Sequence, residues 1–321
     1  MPSNEYKKLK LIFIRNLKMK TEECPDSKPR VRTIPEIFED AKSNPKNCRS
    51  VINSLKKLTN EERLKLLKDH PAWIVHVLNN GTISKEELLH YELARQAEPN
   101  QTIKNGVWVV EGVNILQSGG DCYAYSGAVV NQISGYCYAN SGEVVNQRRG
   151  YCYANSGVVV NQSGGDCHAD SDAIVNQSGG DCCAYSGAIV NQSGGYCNVY
   201  SGAVVNQSGG NCHAHSGAVI NQSGGCCNVY SGAVVNQSGG DCYAYDGVVN
   251  QSGGHCDTFP SAVVNQSGGD CNAYSGATLN QSGGNCSARY GAIVNQSGGY
   301  CNADSGAIVN QIGEGGTINR I

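Results

Sequence analysis

One cysteine recurs at a fixed interval through the second two-thirds of this chain, and that interval constrains the fold more than any other feature. Nine cysteines from Cys122 to Cys242 are 15 residues apart, the step to Cys256 is 14 residues, and 15-residue steps then resume. The repeated unit is Asn-Gln-Ser-Gly-Gly-x-Cys-x-Ala-x-Ser-Gly-Ala-Val-Val. A fixed period of this kind indicates a repeat architecture in which each unit stacks on its neighbours.

The unit predicts strands and corners rather than helices. Glycine costs about 1 kcal/mol per residue inside a helix, so a 15-residue unit with two or three glycines cannot hold a helical hairpin. The segment x-Cys-x-Ala-x-Ser alternates with the period of a strand, and Ser-Gly pairs are typical of corners. We therefore predict a mainly β protein, with a β-solenoid of about fourteen coils over residues 101–316 and a tail or cap over 317–321. At the usual strand spacing of about 4.8 Å, the rod is roughly 65 Å long.

Three places depart from the repeat. One residue is missing near Asp246, and Pro260 with Ser261 replaces the usual Ser-Gly in the following copy, so we expect a local irregularity there. In the first coil, over residues 102–116, Val107 stands at the expected cysteine position and Trp108 follows it. An end coil has no neighbour to cover it, so this segment predicts a cap.

Comparison of the copies predicts which side chains face inward. The small residues that barely vary, such as Cys122, Ala124 and Ser126, fit a tight interior. The positions between them vary and hold most of the tyrosines, so we expect them to face solvent. Exposed tyrosine is a frequent hot-spot residue at interfaces. The candidate binding residues on this outer strand face are Tyr123, Tyr125, Tyr136, Tyr138, Tyr151, Tyr153, Tyr185, Tyr200, Tyr230, Tyr243 and Tyr245.

The second half of the unit leaves its register open. Val129 and Val130 are both apolar, although alternation sends one of them outward. Glu143 predicts that the preceding Ala position faces outward, and Leu279 predicts that the second Val faces inward. An exposed Val row beside the glutamines would form a flat second face suited to homodimerisation, with the Gln row running through Gln132, Gln147 and Gln162. Asn-Gln-Ser matches the glycosylation sequon, but we expect stacked asparagines to form a hydrogen-bonded ladder instead.

The cysteine ladder has two interpretations. Stacked Cβ atoms about 4.8 Å apart are wider than the roughly 3.8 Å that a disulfide prefers. We therefore expect reduced thiols packed as small hydrophobic side chains rather than disulfide staples. The predicted core ladder consists of Cys122, Cys137, Cys152, Cys167, Cys182, Cys197, Cys212, Cys227, Cys242, Cys256, Cys271, Cys286 and Cys301.

Catalytic and metal-binding patterns are weak in this sequence. His168 and Cys183 fall on adjacent coils near Asp166, and these are ligand types that zinc accepts. The combination occurs once and without a Cys-x-x-Cys pair, so it is only a weak metal candidate, and we expect no cofactor. Neither a nucleophile–base pair nor a substrate cavity is expected in so narrow a rod, which predicts a protein that is not an enzyme.

The first hundred residues have a different composition, with 19 basic and 14 acidic residues against 5 and 13 in the remainder. Capping-box patterns at Thr33, Thr59 and Ser84 predict short helices, so we expect a small helical domain over residues 33–100. Residues 1–32 are basic and are expected to form a flexible arm. Residues 6–20 are compatible with a basic helix that touches a membrane or nucleic acid, but a solvated tail is favoured and no nucleic-acid partner is expected.

No apolar stretch approaches the length of a membrane span, and none fits a secretory signal. A cytoplasmic location is the default expectation, although export without a classical signal is also compatible with the sequence.

The short coil and the small-residue interior resemble the short-coil β-solenoids, which include pentapeptide-repeat proteins and insect and grass ice-binding proteins. Ala139-Asn140 is followed by Ser141 instead of the leucine of a pentapeptide repeat, and Thr-x-Thr arrays are absent. The resemblance implies a non-enzymatic scaffold. We expect its face to bind a protein partner, a glycan or a second copy, as in a secreted effector or a virion component. The alternative function is ice binding.

Overall fold

The computed structural model describes residues 30–43, 56–69 and 83–321. The chain divides into two compact units, Met1–Tyr91 and Glu92–Ile321. Most of the expected basic arm, including the possible helix at 6–20, lies outside the described residues, as do Cys24 and Cys48. The described part of the first unit contains three helices: α1 (Ile34–Ser43), α2 (Asn60–Asp69) and α3 (Lys85–His90).

Each of the three helices begins at a predicted capping box. The backbone N–H groups of Thr33 and Thr59 donate to the carboxylates of Glu36 and Glu62, both at 2.7 Å. Ser84 makes the reciprocal pair at α3, because its own N–H donates to the Glu87 carboxylate and its hydroxyl accepts from the Glu87 N–H. These bonds satisfy N–H groups that have no partner within the first turn.

The second unit is a β-solenoid of about fifteen coils built from two parallel sheets. Strands are numbered along the chain, odd numbers in sheet 1 and even numbers in sheet 2. Sheet 1 contains β1 (Arg95–Gln96), β3 (Val107–Glu111), β5 (Asp121–Tyr125), β7 (Tyr136–Ala139), β9 (Tyr151–Ala154), β11 (Asp166–Ala169), β13 (Asp181–Ala184), β15 (Tyr196–Val199), β17 (Asn211–Ala214), β19 (Cys226–Val229), β21 (Asp241–Ala244), β23 (His255–Thr258), β25 (Asp270–Ala273), β27 (Asn285–Ala288), β29 (Gly299–Ala303) and β31 (Gly316–Arg320).

Sheet 2 contains β2 (Thr102–Ile103), β4 (Asn114–Gln117), β6 (Val129–Gln132), β8 (Val144–Gln147), β10 (Val159–Gln162), β12 (Ile174–Gln177), β14 (Ile189–Gln192), β16 (Val204–Gln207), β18 (Val219–Gln222), β20 (Val234–Gln237), β22 (Val248–Gln251), β24 (Val263–Gln266), β26 (Thr278–Gln281), β28 (Ile293–Gln296) and β30 (Ile308–Gln311). Each coil adds one strand to each sheet, and equivalent residues pair in register, as Cys167 does with Cys182. The solenoid begins at β1, within the segment expected to be helical, and β31 extends sheet 1 through the segment expected to be a tail.

Small side chains from both sheets fill the interior. Cys122 and Ala124 face inward, as predicted, and so does Leu279 at the second Val position. Ser126 was expected in the interior, but it is exposed because β5 has ended and the chain is already turning through the corner. The alternation of inward and outward side chains applies within a strand and stops where the strand stops.

The glutamines face inward, contrary to the expectation of an exposed Gln row. Gln132, Gln147 and Gln162 are each 1 % exposed or less. Their counterpart Gln177 donates its Nε2 hydrogens to two backbone carbonyls, those of Gly180 at 2.8 Å and of Tyr196 in the next coil at 2.9 Å. Buried polar groups are tolerated when they are hydrogen-bonded, and the corner carbonyls provide the acceptors.

Each coil has two corners: the first leads from a sheet 1 strand to a sheet 2 strand, and the second leads from sheet 2 back to sheet 1. Glycine is required at the second corner for a steric reason. Gly195 has a φ of 78°, and a Cβ atom there would lie 2.4 Å from the carbonyl oxygen of Gly180 in the preceding coil. Positive φ and this close approach together exclude larger residues. The first corner is less crowded, since Asp172 and Ser261 adopt positive φ at its glycine position.

The expected irregularity near residue 246 is a shortened corner. Val248 still pairs with Val234, and His255 still pairs with Asp241, so both sheets keep their register. Gly247 takes the inward position that alanine holds in most coils. Its carbonyl accepts from the Val263 N–H of the next coil at 3.0 Å. The first coil is shortened as well, and Trp108 rather than Val107 occupies the cysteine position, opposite Cys122.

Glu143 was expected to face outward, but it is 1 % exposed. It occupies the inward position that Ala128 holds in the preceding coil, and one of its carboxylate oxygens is buried without a hydrogen-bond partner among the described residues. The other oxygen accepts from the Ser141 N–H at 2.5 Å. Burial raises the pKa of the Glu143 carboxyl. A buried charge without full pairing is costly.

We predict that Glu143→Ala stabilises the solenoid at pH 7 by about 1–3 kcal/mol, since the variant removes an incompletely paired buried charge. A carboxyl whose pKa is raised on folding costs stability as the pH rises above its unfolded value, so the difference between variant and wild type should shrink towards pH 4.5. Thermal unfolding at pH 7 and pH 5 measures this difference. Glu143→Gln is the control that keeps the size of the side chain and removes its charge. If Glu143→Ala is no more stable than wild type at pH 7 or at pH 5, the prediction is wrong.

Candidate functional site

The outward side chains of sheet 1, with the residue that follows each strand, form a surface that we call the variable face. It has three rows that run from coil to coil. The first row starts at Asp121, the middle row at Tyr123 and the corner row at Tyr125. Most of their residues change from coil to coil among tyrosine, asparagine, aspartate and histidine, and the rows also contain Cys183, Cys226, Phe259, Ser287 and Arg289. Carboxylates make this face acidic, and they are Asp121, Asp166, Asp170, Asp181, Asp241, Asp257, Asp270 and Asp304.

Eleven aromatic rings on this face stack in an unbroken series, which we call the aromatic ladder. Neighbouring ring centroids lie 4.8–6.2 Å apart, and neighbouring planes differ by 5–27°. The ladder crosses from the middle row to the corner row between His168 and Tyr185. Its members in order are Tyr123, Tyr138, Tyr153, His168, Tyr185, Tyr200, His215, Tyr230, Tyr245, Phe259 and Tyr274.

Seven of the eleven tyrosines proposed from sequence belong to the ladder. Tyr136 and Tyr151 stack on each other in the first row, with centroids 5.0 Å apart. Tyr125 lies in the corner row, and Tyr243 lies in the middle row between Asn228 and Asp257. The ladder also contains His168, His215, Phe259 and Tyr274, which sequence reasoning missed. The sequence does contain a signal for these residues, because seven successive corner positions from Tyr185 to Tyr274 are aromatic.

Two members of the ladder that were expected to face solvent are buried. Tyr123 is 2 % exposed and Tyr138 is 4 % exposed. Burial raises the pKa of the Tyr123 hydroxyl far above its usual range, and this hydroxyl lacks a hydrogen-bond partner among the described residues. The accessible part of the ladder therefore lies farther along the solenoid, where Tyr245 is 40 % exposed.

Stacking decides what the ladder can offer to a ligand. Rings about 5 Å apart and nearly parallel cover each other's faces, so ring edges and phenol hydroxyls are what remain available. The edge of an aromatic ring is its electropositive part. A partner can therefore contact the ring edges and hydroxyls from the side of the ladder, but a flat ligand ring has no space between two stacked rings.

The outward side chains of sheet 2 form a second surface, which we call the constant face. One row is β-branched in every coil, from Val129 through Ile174 and Thr278 to Ile308. The next outward row is asparagine in every coil from Asn131 on, and from Asn146 on each Nδ2 donates to the asparagine Oδ1 of the preceding coil at 2.9–3.0 Å. The asparagine ladder is therefore confirmed, and the flat face is made of β-branched residues and asparagine rather than Val and Gln.

The cysteine ladder is present in the core. Its thirteen members are 0–3 % exposed. Eleven of them are free, as expected, but the last two, Cys286 and Cys301, form a disulfide, so the expectation of reduced thiols fails for this pair. The hydrogen bond that Cys152 makes with Cys137, and burial, raise the pKa of Cys152. Hydrogen bonds with Cys152 and Cys182, and burial, raise the pKa of Cys167, so the neutral thiol is favoured at both positions.

The weak metal candidate is not assembled as a site. His168 and Cys183 pair in register, but the His168 ring is stacked between Tyr153 and Tyr185. Within residues 30–43, 56–69 and 83–321, no group of three histidine, cysteine or carboxylate side chains is arranged to hold a metal ion.

We predict that alkylation will separate two classes of cysteine in the native protein. Cys183 and Cys226 are half-buried on the variable face, whereas Cys167 and Cys212 are fully buried. Burial raises the pKa of both half-buried thiols, so labelling with iodoacetamide is best done above pH 8.5. Chymotryptic peptide mass spectrometry should find Cys183 and Cys226 modified first, and the buried thiols modified only after denaturation. Equal labelling rates for both classes would contradict the assignment of the core.

None of the helices in the described residues is long and apolar enough to cross a membrane. No protein-family model matches the chain, and searches of curated proteins and of solved structures find no similar protein.

Proposed function

We propose that this protein is a non-enzymatic scaffold that associates with a second copy through its constant face and presents its variable face to a protein partner. The observation that carries the proposal is the division of one solenoid into two unlike surfaces. One repeats the same residues in every coil, and the other changes them. An interior filled by mutually packed small side chains supports a structural role over a catalytic one.

Charge supports a second copy as the occupant of the constant face. Residues 101–321 carry 5 basic and 13 acidic residues, so two solenoids repel each other on average. The outward rows of sheet 2 between Val159 and Ile308 contain no charged residue. Two copies can meet there without opposing carboxylates, and a flat two-fold pairing places identical rows against each other.

The β-branched row gives this surface its apolar character. Ile174, Ile189 and Ile293 are each 36–39 % exposed, which is high for large aliphatic side chains that repeat along a line. A contiguous exposed apolar stripe is typical of an interaction surface. Pairing would remove this stripe from water in both copies.

The variable face suits a different partner. Its acidic residues favour a partner with a basic surface, because charge complementarity speeds association and selects partners. Its tyrosines belong to the residue type that most often dominates binding energy. Coil-to-coil variation gives each position along the face its own chemistry, as recognition of one partner requires.

Sedimentation velocity at several concentrations tests the self-association. Wild type should show a dimer, and the double variant Val219→Lys with Val234→Lys should shift the equilibrium towards monomer by at least about tenfold. Two lysines on adjacent coils would each be desolvated on pairing. The matched control is Asn211→Lys with Cys226→Lys, which places the same charges on adjacent coils of the variable face.

The control should dimerise like wild type. A wild-type protein that remains monomeric up to high concentration would refute the proposed self-association. Equal dissociation of both double variants would also refute it, because the effect would then not depend on the face.

Ice binding is the second candidate function, and the regularity of the constant face favours it. The β-branched and asparagine rows recur at every coil, as an array that matches a lattice requires. Thermal hysteresis with faceted ice crystals, abolished by Val219→Lys with Val234→Lys, would support this function in place of self-association. Ice growth identical to that in a buffer control would exclude it.

A further inference from the structure

A polar depression on the variable face differs from the aromatic ladder beside it. It has a volume of about 520 Å³ and lies between two larger side chains of the first row, His255 and Tyr300. Two shorter residues of the same row, Asp270 and Asn285, separate them, and strand pairing places the four on successive coils. The space therefore lies where two short side chains of the first row separate two larger ones.

Tyr300 places an aromatic ring at one end of this depression. Its in-register neighbours are Asn285 and Thr317, so no stacked ring covers either side of it, unlike the rungs of the ladder. Tyr151, in the same row, has a similar exposure of 41 % against 39 %, but its ring is stacked on Tyr136. The uncovered face of an aromatic ring is its electronegative part and attracts partly positive C–H groups.

Hydrogen bonds hold the polar groups of the depression in place. Asn285 Nδ2 donates to Asp270 Oδ1 at 3.0 Å, and the Tyr300 hydroxyl donates to Asn302 Oδ1 at 3.0 Å. Asn272 Nδ2 donates to Asp257 Oδ1 at 2.8 Å. Each amide and carboxylate has more donor or acceptor capacity than one such bond uses, so oriented groups remain for a ligand. Orientation before binding reduces the entropy lost on binding.

These features together define the ligand chemistry. The aromatic face calls for a ligand with an apolar C–H surface, and the amides and carboxylates call for hydroxyl groups around its edge. Asp257 and Asp270 disfavour an anion. A volume of about 520 Å³ lies within the range of small-ligand sites. We propose that the depression binds a neutral pyranose sugar, with one face of the sugar ring against Tyr300.

The sugar site is independent of the self-association proposed above. It uses neither the constant face nor any rung of the aromatic ladder. A variant that loses sugar binding should still dimerise in the sedimentation experiment, and a variant that no longer dimerises should still bind the sugar.

Saturation-transfer NMR on the full chain tests the site. The probes are the methyl glycosides of glucose, galactose, mannose and N-acetylglucosamine, with methyl glucuronide as the anionic comparison. At least one neutral glycoside should receive saturation at its ring C–H protons and show a millimolar dissociation constant. Methyl glucuronide should bind more weakly than methyl glucoside because of the two carboxylates.

Tyr300→Ala should weaken binding of the neutral glycoside roughly three- to tenfold, the equivalent of one lost aromatic contact. Tyr151→Ala is the matched control, since it removes an equally exposed tyrosine of the same row and should leave binding unchanged. Circular dichroism verifies that both variants keep the solenoid. Absence of saturation transfer to all four neutral probes, undiminished binding by Tyr300→Ala, or equal losses in both variants would overturn the proposal.

Discussion

A buried glutamine amide ties each coil to the next in addition to the hydrogen bonds between strands. Its Nε2 group donates to the carbonyl of the corner that follows it and to a sheet 1 carbonyl one coil further on. Gln207, for example, donates to Gly210 at 2.9 Å and to Cys226 of β19 at 3.0 Å. The bridge fixes the corner against both sheets. Its cost is a buried Oε1 atom without a hydrogen-bond partner in each such residue of the described solenoid. Because the bond needs both a long amide and an unobstructed corner, each buried Gln is followed three residues later by a glycine, even where Ser134 or Arg149 replaces the first glycine of the pair.

The sequence allowed the period, the inward Cys and Ala residues, the asparagine ladder and the three capping boxes to be predicted. Each depends on a local rule or on identity between copies. The prediction failed for Ser126, Glu143 and the Gln row. Alternation cannot be carried across a corner, because the number of residues in the turn decides which side the next strand presents. The inward Gln also needed two backbone acceptors from separate coils, and these are known only once the coil is closed.

The candidate site shows the same limit. Tyrosine rows were visible as rows, but the crossing of the aromatic ladder from the middle row at His168 to the corner row at Tyr185 depends on ring orientation. The depression beside Tyr300 depends on two short side chains on successive coils, Asp270 and Asn285, between two larger ones. The scaffold follows from what the copies share, whereas the proposed recognition surfaces follow from where the copies differ. This division explains why the function is harder to infer than the fold.

The shortened corner at Gly247 bears on how this solenoid tolerates changes in length. Both sheets keep their register across a coil of 14 residues, since Val248 and His255 still meet their partners in the previous coil. The register therefore does not depend on the exact number of residues in the first corner, although its glycines also bond to the next coil, as the Gly202 N–H does to the Gly217 carbonyl at 3.0 Å. The second corner is more restricted, because a Cβ atom at its last glycine would collide with a backbone carbonyl of the preceding coil. A peptide inserted into a first corner should leave the strand pairing of the neighbouring coils unchanged. Loops can therefore be added along this edge of the solenoid.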